Sequence, residues 1–279
     1  MRFLRARWGE KVVLARVEGS VGHILAVESN HPAADVLRES LASGVPLDGS
    51  ALEVVELADL HILAPLRNPG KIICVGLNYV DHAAESGVPL PSTPLLFSKF
   101  NTTLVGPGEP ILIDPSNSVQ VDYEAELAVV IGAQGRSVDE SAAPGLVFGY
   151  TLANDISARD AQFADGQWMR GKSFDTFCPL GPQIVTPDEI GDVEDLDITL
   201  TLNGETLQNG STTDMVFSVA ELIAYCSRFF TLEPGDLILT GTPPGVGFAR
   251  TPPVYLQAGD RVTVASSGIG ELTNPVSHG

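Results

Sequence analysis

One apolar stretch that contains acidic residues, Val121-Asp-Tyr-Glu-Ala-Glu-Leu-Ala-Val-Val-Ile-Gly132, predicts a buried β-strand that carries charge. Because residues i and i+2 of a strand project to the same face, we expect Glu124 and Glu126 to point together. Asp155 follows a second apolar run, Leu146 to Ala153. A carboxylate in such surroundings is costly unless positive charge meets it. The three acids are therefore candidate ligands of one cation; the alternative is a sheet edge whose acidic side chains face solvent.

The type of ion follows from the type of ligand. Three carboxylates without a nearby His or Cys suit a hard divalent cation better than Zn²⁺. The sequence therefore favours Mg²⁺ or Mn²⁺, with Ca²⁺ as a substitute. It does not choose between Mg²⁺ and Mn²⁺, since both accept three carboxylates and complete their coordination with water.

Composition excludes several classes of protein. The chain has 279 residues, of which 44% are hydrophobic, and a net charge of −19. That charge argues against binding to nucleic acid and to anionic membranes. No run reaches the roughly 18 apolar residues of a membrane-spanning helix, and the N-terminus is too polar for a signal peptide. Three scattered cysteines form no disulfide framework, so we expect a reduced, cytoplasmic protein.

Strand patterns outnumber helix patterns, which favours a β-dominated α+β fold over a doubly wound sheet. Residues 1–66 are predicted to form a small N-terminal α/β module, and 67–279 a catalytic domain. Pro65 to Gly70 is the expected linker, because Pro and Gly break regular structure. In the module we expect strands at 2–8, 11–17 and 22–27, a helix at 32–41, and extended segments at 52–57 and 61–63. Beyond it we expect strands at 71–75, 95–97, 111–113, 126–131, 146–153, 196–202, 237–239 and 261–265, and helices at 80–86 and 218–228.

A second informative stretch, Cys74 to Gly87, predicts a strand that turns into a short helix. His82 and Glu85 are three residues apart and so share one face of that helix. A carboxylate beside an imidazole favours its protonated form and fixes its orientation. Such a pair near a metal could take a proton from water and return it later. The alternative is a surface helix with an incidental pair.

Two further segments are informative. The first, residues 155–162 and 166–181, mixes polar and aromatic residues with glycines, as expected of the wall of a binding site. The second, residues 237–247, is a predicted strand that ends in a Gly-rich turn. In the first, Lys172 could hold a substrate carboxylate or a developing enolate, while Arg159 and Asp160 suggest a structural ion pair or bracing of the loop. Lys172 and Lys99 are two of only four lysines in the chain. In the second, Thr242 lies in a Gly-rich turn that could present N–H groups and a hydroxyl to an anion, or be an ordinary turn.

Six motifs follow one another in order: Gly76-Leu-Asn-Tyr-x-x-His-x-x-Glu85, Asp122-Tyr-Glu-x-Glu-Leu127, Asn154-Asp-x-Ser-Ala-Arg-Asp160, Arg170-Gly-Lys-Ser-Phe-Asp175, Thr240-Gly-Thr-Pro-x-Gly-Val-Gly247 and Gly268-Ile-Gly-x-Leu-x-Asn-Pro-Val276. Over residues 67–276 the chain thus resembles the fumarylacetoacetate hydrolase superfamily, in particular its bacterial acylpyruvase and 2-hydroxyhepta-2,4-diene-1,7-dioate isomerase branch. Residues 1–66 resemble the N-terminal module of bacterial members.

The resemblance implies a mixed β-sandwich roll, usually in a homodimer, and a small keto-acid substrate. It implies a segment that orders over the site when ligand binds. It also implies roles for eight residues: the Mg²⁺ or Mn²⁺ ligands Glu124, Glu126 and Asp155, the catalytic residues His82, Glu85 and Lys172, and the substrate-binding residues Gln162 and Thr242.

For activity, the resemblance implies a divalent-metal-dependent hydrolase that cleaves a C–C bond in a 2,4-diketo acid of the acylpyruvate or fumarylpyruvate type, giving pyruvate and a carboxylic acid. The same site could instead decarboxylate oxaloacetate, or isomerise or decarboxylate 2-hydroxyhepta-2,4-diene-1,7-dioate and its precursor in aromatic catabolism. A third interpretation is a structural metal module without turnover, since fold alone does not establish function.

Overall fold

The computed structural model describes residues 1–28, 35–44, 47–164 and 166–279. Within them the chain forms many strands and a few short helices, so the predicted β-dominated α+β class is confirmed. The strands are β1 (Arg2–Trp8), β2 (Lys11–Glu18), β3 (Val21–Val27), β4 (Glu53–Glu56), β5 (His61–Ile62), β6 (Ile72–Gly76), β7 (Leu95–Ser98), β8 (Leu104–Val105), β9 (Ile111–Ile113), β10 (Val121–Asp122), β11 (Ala125–Ile131), β12 (Val147–Asn154), β13 (Ser157–Ala158), β14 (Cys178–Val185), β15 (Asp197–Leu202), β16 (Glu205–Ser211), β17 (Leu237–Leu239), β18 (Arg261–Ser266) and β19 (Gly270–His278). The helices are α1 (Val36–Ser43), α2 (Val80–Glu85), α3 (Arg159–Phe163), α4 (Trp168–Lys172), α5 (Pro187–Ile190) and α6 (Val219–Phe229).

The largest sheet has twelve strands, ten of them in the order β4-β3-β2-β1-β14-β12-β11-β17-β6-β7, with β5 beside β1 and β8 beside β14. Strand β1 pairs antiparallel with β14, where Arg2 lies opposite Val185. The strands of residues 1–66 therefore continue the sheet of the rest of the chain. The proposed boundary at 66/67 stays a prediction.

A second sheet of five strands, in the order β16-β15-β18-β19-β9, packs against the first. Strand β11 lies between β12 and β17 and is buried along its whole length. Its alternate residues Leu127, Val129 and Ile131 belong to the core shared with the second sheet, whereas Ala128 and Val130 belong to a core with β6, β14 and β17. A strand covered on both faces is continuously apolar rather than alternating, which explains the sequence pattern.

The two main helix predictions are confirmed with small shifts at their ends. Helix α6 begins after Ser218, whose hydroxyl and the Glu221 carboxylate form the predicted capping box. Helix α1 begins after Asp35, which accepts a hydrogen bond from the N–H of Arg38, and ends at Gly44 in the left-handed conformation (φ 67°). The predicted start of this helix, at residues 32–34, lies outside the described residues.

Strands β14, β16 and β19 were missed by sequence analysis. Strand β14 contains Pro179, Gly181 and Pro182, and β19 contains Pro275, which are residues that normally argue against a strand. Both strands nevertheless pair, because tertiary contacts override local preference. No helix in the described ranges combines the length and apolarity that a membrane crossing requires.

Candidate active site

Glu124, Glu126 and Asp155 converge, each offering one oxygen within 4.8 Å of the others. Strands β11 and β12 place them, because Ala125 lies opposite Asn154 in the ladder and the N–H of Asp155 donates to the carbonyl of Glu124 at 2.8 Å. All three side chains are buried, with relative exposures of 6%, 2% and 0%. The alternative of a solvent-facing acidic edge is therefore wrong.

Three cations surround these acids. Lys172 Nζ lies 2.6 Å from Glu124 Oε2 and 2.8 Å from Asp155 Oδ2. Lys99 Nζ lies 2.6 Å from Asp155 Oδ1, and Arg159 Nη2 lies 2.7 Å from Glu124 Oε1. No role for Lys99 follows from the sequence motifs; the scarcity of lysine in this chain is the one signal that points to it.

Arg159 and Asp160 serve different neighbours, so the expected pair between them is wrong. The Arg159 guanidinium binds Asp122, with Nε 2.9 Å from Oδ2. Asp160 accepts from the hydroxyl of Ser118 at 2.6 Å and from the N–H of Val119 at 3.0 Å. Consecutive residues at the start of a helix point in different directions, which separates the two charges. The bracing of a loop, the second part of that expectation, describes Asp160.

Glu124 and Glu126 differ in their electrostatic surroundings. Burial opposes ionisation of Glu124, but Lys172 and Arg159 outweigh burial and lower its pKa to about 2. Burial raises the pKa of Glu126 well above the usual range, and repulsion from Asp155 and Glu124 adds to the shift. Glu126 is thus the carboxylate that lacks sufficient positive charge.

The donor set fits a divalent cation. Glu126 Oε2 accepts from the N–H of Gly241 at 2.8 Å, while the ion pairs that Lys99, Lys172 and Arg159 form in the cluster go to Asp155, Glu124 and Asp122. The cluster has more negative than positive groups, since four carboxylates meet three cations: Asp122, Glu124, Glu126 and Asp155 against Lys99, Arg159 and Lys172. Hard oxygen ligands with uncompensated negative charge are what Mg²⁺ and Mn²⁺ require.

His82 and Glu85 form the predicted pair on α2, with 2.8 Å between Nδ1 and Oε1. The other oxygen of Glu85 accepts from the N–H of Gly245 at 2.9 Å, which fixes the carboxylate. Because a carboxylate only accepts, Nδ1 carries the proton and Nε2 is the basic nitrogen. His82 is buried and lines a cleft with Glu124 and Glu126, so the alternative of an incidental surface pair is wrong.

Asn78 holds the turn that leads into α2, a role that sequence analysis missed. Its amide donates to the carbonyls of Thr240 at 2.8 Å and Phe217 at 3.1 Å, and its oxygen accepts from the N–H of Phe217 at 2.8 Å. Leu77 beside it adopts a positive φ of 57°. This buried amide ties the start of the His82 helix to the end of β17.

A cleft of about 130 Å³ lies above the acids. Asp155 is fully buried and does not line this cleft. The polar residues that line it include seven already introduced: His82, Glu124, Glu126, Arg159, Gln162, Lys172 and Thr242.

Gln162 and Thr242 line the cleft with different freedom to bind a ligand. Gln162 Oε1 accepts from Arg159 at 3.0 Å, which leaves its NH₂ group as a donor. The Thr242 hydroxyl donates to the carbonyl of Ala125 at 2.9 Å and accepts from Gln208 at 2.8 Å. Its proton is therefore committed to the protein.

Comparison with known proteins agrees with this geometry. Residues 71–277 match the family model described as fumarylacetoacetate (FAA) hydrolase C-terminal. The chain belongs to the fumarylacetoacetate hydrolase family. Among solved structures, the fumarylacetoacetate hydrolase from Exiguobacterium antarcticum superimposes with a TM-score of 0.89 at 39% identity, covering 100% of both chains.

Two curated relatives carry different activity names. The mitochondrial oxaloacetate tautomerase of Xenopus laevis is 51% identical over 225 residues, which cover 80% of this chain and 70% of that protein. The 2,4-didehydro-3-deoxy-L-rhamnonate hydrolase of Sphingomonas sp. (strain SKA58) is 46% identical over 241 residues, covering 86% and 84%. The family is therefore one of enzymes with several activities, and the reaction of this chain is a matter for proposal. The homodimer and the cytoplasmic location stay predictions.

Proposed function

We propose that the chain is a divalent-metal-dependent hydrolase that cleaves the C–C bond of a 2,4-diketo acid to give pyruvate and a carboxylic acid. The observation that carries the proposal is that His82, buried and paired with Glu85, lines the same cleft as the carboxylates of Glu124 and Glu126. A base beside a cation site is the arrangement that attack by water on a carbonyl needs.

The proposed cofactor is Mg²⁺ or Mn²⁺, held by Glu124, Glu126 and Asp155. When bound, such an ion supplies a Lewis acid and a template for the keto-acid end of the substrate. The lysines then serve to position the ligands: Lys99 and Lys172 hold both oxygens of Asp155 in place.

His82 takes the role of general base. Its Nδ1–H is held by Glu85, so Nε2 accepts a proton from water while the imidazolium that forms is stabilised by the carboxylate. The oxygen of that water bonds to the distal carbonyl carbon, C4. The C3–C4 bond then breaks, and its electron pair passes to C3 to give the enolate of pyruvate. His82 returns the proton to C3, which completes pyruvate, and the second product leaves as a carboxylic acid.

Lys172 acts as a fixed positive charge rather than as a base. Burial disfavours its charged form, but Asp155 and Glu124 outweigh burial and raise the pKa of Lys172 above its usual value. An ammonium that stays protonated stabilises an enolate where its charge develops. The Gln162 NH₂ group is a further proposed donor to the substrate.

A second candidate is keto–enol conversion or decarboxylation of oxaloacetate at the same site. The observation that favours it is the similarity to the Xenopus laevis oxaloacetate tautomerase. The hydrolytic proposal is supported by the similarity to the Sphingomonas hydrolase, whose name describes a sugar acid oxidised at positions 2 and 4. Both reactions pass through an enolate next to a carboxylate, so they differ in whether water attacks carbon.

A side-by-side assay separates the two candidates. Acetylpyruvate and oxaloacetate are each incubated with the protein and Mg²⁺ or Mn²⁺, and pyruvate, acetate and the enol form of oxaloacetate are followed. His82→Gln is the test variant, and His61→Gln, at an exposed position on β5, is the matched control. We expect acetylpyruvate cleavage to fall by roughly 10²–10⁴-fold in His82→Gln, the usual contribution of a general base, and to be unchanged in His61→Gln.

Binding of oxalate, measured by calorimetry, should survive in His82→Gln because the acids remain. Undiminished cleavage in that variant would remove His82 from the role of base. Turnover of oxaloacetate without cleavage of any 2,4-diketo acid would reject the hydrolytic proposal in favour of the second candidate.

A further inference from the structure

Besides its charged residues, the cleft has an apolar wall. The residues that form this apolar wall come from β6 and the turn after it, the segment after α2, β7, the end of α3, the start of α4 and the turn after β17: Val75, Leu77, Val88, Phe97, Phe163, Trp168 and Phe248. The catalytic steps proposed above use none of them. A surface of this kind, continuous with the carboxylate site, requires its own explanation.

Aromatic rings give the apolar wall a defined shape. Phe97 and Trp168 meet edge to face, with ring centroids 5.4 Å apart, and Phe163 and Phe248 do the same at 5.8 Å. Gly76 leaves the space that Trp168 fills, since a Cβ there would lie 2.5 Å from the indole. The rings are therefore packed against the protein and available as a preformed surface.

Part of the apolar wall is exposed at the mouth of the cleft. Phe163 is 56% exposed and Val88 is 39% exposed. Leu90, two residues after Val88, and Met169, next to Trp168, are exposed as well, at 49% and 44%. Grouped apolar side chains at the rim of a cleft are typical of a surface that a ligand covers.

Charge at the site limits the ligand to one carboxylate. Among the described residues that line the cleft, Lys172 and Arg159 are the permanent cations, and both are ion-paired with Glu124. A divalent ion would turn the excess of one negative charge in the carboxylate cluster into an excess of one positive charge. That excess matches a single carboxylate, and no further cation among the described residues of the cleft lining is available to pair with a second one.

We propose that the cleft selects 2-keto acids with one carboxylate and an apolar acyl group, and that Phe163, Trp168 and Val88 determine this specificity. The inference rests on the proposed function, because the keto-acid end must lie at Glu124 and Glu126. The substrate class is then an acylpyruvate with an alkyl or aryl acyl group, and dicarboxylates are disfavoured.

Binding of uncleavable 2-keto acids tests the proposal without relying on turnover. Calorimetry on the Mn²⁺-loaded protein compares pyruvate, 2-oxohexanoate and 2-oxooctanoate, with 2-oxoglutarate as the dicarboxylate. Burial of each added methylene should tighten binding by about two- to fourfold. We expect 2-oxoglutarate to bind more weakly than 2-oxohexanoate despite its similar length.

Variants assign the effect to the apolar wall. Phe163→Ala should weaken 2-oxooctanoate by about tenfold, because a partly exposed ring is lost, and should leave pyruvate unchanged. Val88→Ser gives an independent, smaller change of the same kind. Phe229→Ala is the matched control, since Phe229 is 61% exposed and lies outside the cleft.

The outcomes are distinguishable. Equal affinity for 2-keto acids of all chain lengths, or tighter binding of 2-oxoglutarate than of 2-oxohexanoate, overturns this inference. If pyruvate still binds, the proposed function is unaffected by that result. If no 2-keto acid binds, pyruvate included, the proposed function itself is overturned. Loss of the chain-length effect in Phe229→Ala as much as in Phe163→Ala would also contradict the assignment.

Discussion

Replacing Glu126 by Gln should stabilise the metal-free protein and abolish its response to metal. The substitution keeps the shape of the side chain and an oxygen that accepts from the N–H of Gly241. It removes one of three carboxylates whose oxygens lie within 4.8 Å of one another. Among the described residues, Lys99, Lys172 and Arg159 form ion pairs with Glu124 and Asp155 rather than with Glu126.

The size of the effect follows from the charges. At an effective dielectric constant of about 20, two like charges at this separation repel by about 3 kcal/mol. Glu126 faces two such neighbours, Glu124 and Asp155, whose charges are largely balanced by Lys99, Lys172 and Arg159. We therefore expect a net gain of about 1–3 kcal/mol, which for a chain of this size corresponds to a rise in Tm of roughly 2–10 °C.

Thermal unfolding of chelator-treated protein, followed by circular dichroism, measures this gain, and repetition with Mn²⁺ measures the response to metal. In the unsubstituted protein, an ion at about 100 times its Kd adds about 2.7 kcal/mol, whereas Glu126→Gln should show almost no increase. Glu205→Gln, at an exposed position on β16, is the control and should behave as the unsubstituted chain. A lower Tm in metal-free Glu126→Gln, or a Mn²⁺ response of the original size, would refute the reasoning.

Three further predictions concern Lys99, Glu85 and the cysteines. Lys99→Met should cost about 3–5 kcal/mol in urea unfolding, since it leaves a buried carboxylate of Asp155 without one of its partners; the same loss in the surface variant Lys11→Met would contradict it. Glu85→Gln should lower turnover by about a hundredfold at unchanged oxalate affinity, because His82 loses the carboxylate that orients it; equal turnover would exclude that role. Burial raises the pKa of the thiols of Cys74, Cys178 and Cys226, to about 12 for the last two. At pH 8 a thiol reagent should therefore label none of the three in the native protein and all three after unfolding. Stability should fall as pH rises from about 8.5, the pKa of a free thiol, toward 12. Labelling of the native chain, or a flat alkaline stability profile, would count against that burial.

The residues that sequence analysis brought together are those whose positions depend on local geometry. Glu124 and Glu126 are two residues apart in an extended segment, and His82 and Glu85 are three apart on a helix. Asp155 lies beside them because β12, which pairs with β11, ends at the residue before it. The periodicity of strands and helices and the pairing of β11 with β12 are therefore enough to bring together five of the eight predicted site residues.

The contacts that were missed all depend on long-range topology. Lys99 reaches Asp155 from 56 residues away, and Arg159 pairs with Asp122, 37 residues away, rather than with the adjacent Asp160. No local sequence pattern distinguishes a lysine on the surface from one, such as Lys99, whose side chain is buried after the edge strand β7. The partners of a charge in a folded core are set by strand order, which single-sequence patterns do not determine.

The same limit applies to the apolar wall of the cleft. The aromatic residues of the segment 166–181 suggested a site wall, but Phe97 and Phe248 join Trp168 only because β6 lies between β7 and β17. Prolines in β14 likewise concealed a central strand. Where a strand is buried among neighbours, packing decides its structure and composition misleads.

An anomalous difference map from crystals grown with Mn²⁺ and oxalate tests the central claim most directly. We predict one strong peak bonded at about 2.0–2.3 Å to oxygens of Glu124, Glu126 and Asp155, with oxalate in its remaining positions and facing His82. A peak elsewhere, or clear density for Lys172 bridging Glu124 and Asp155 with no ion beside Glu126, would contradict it.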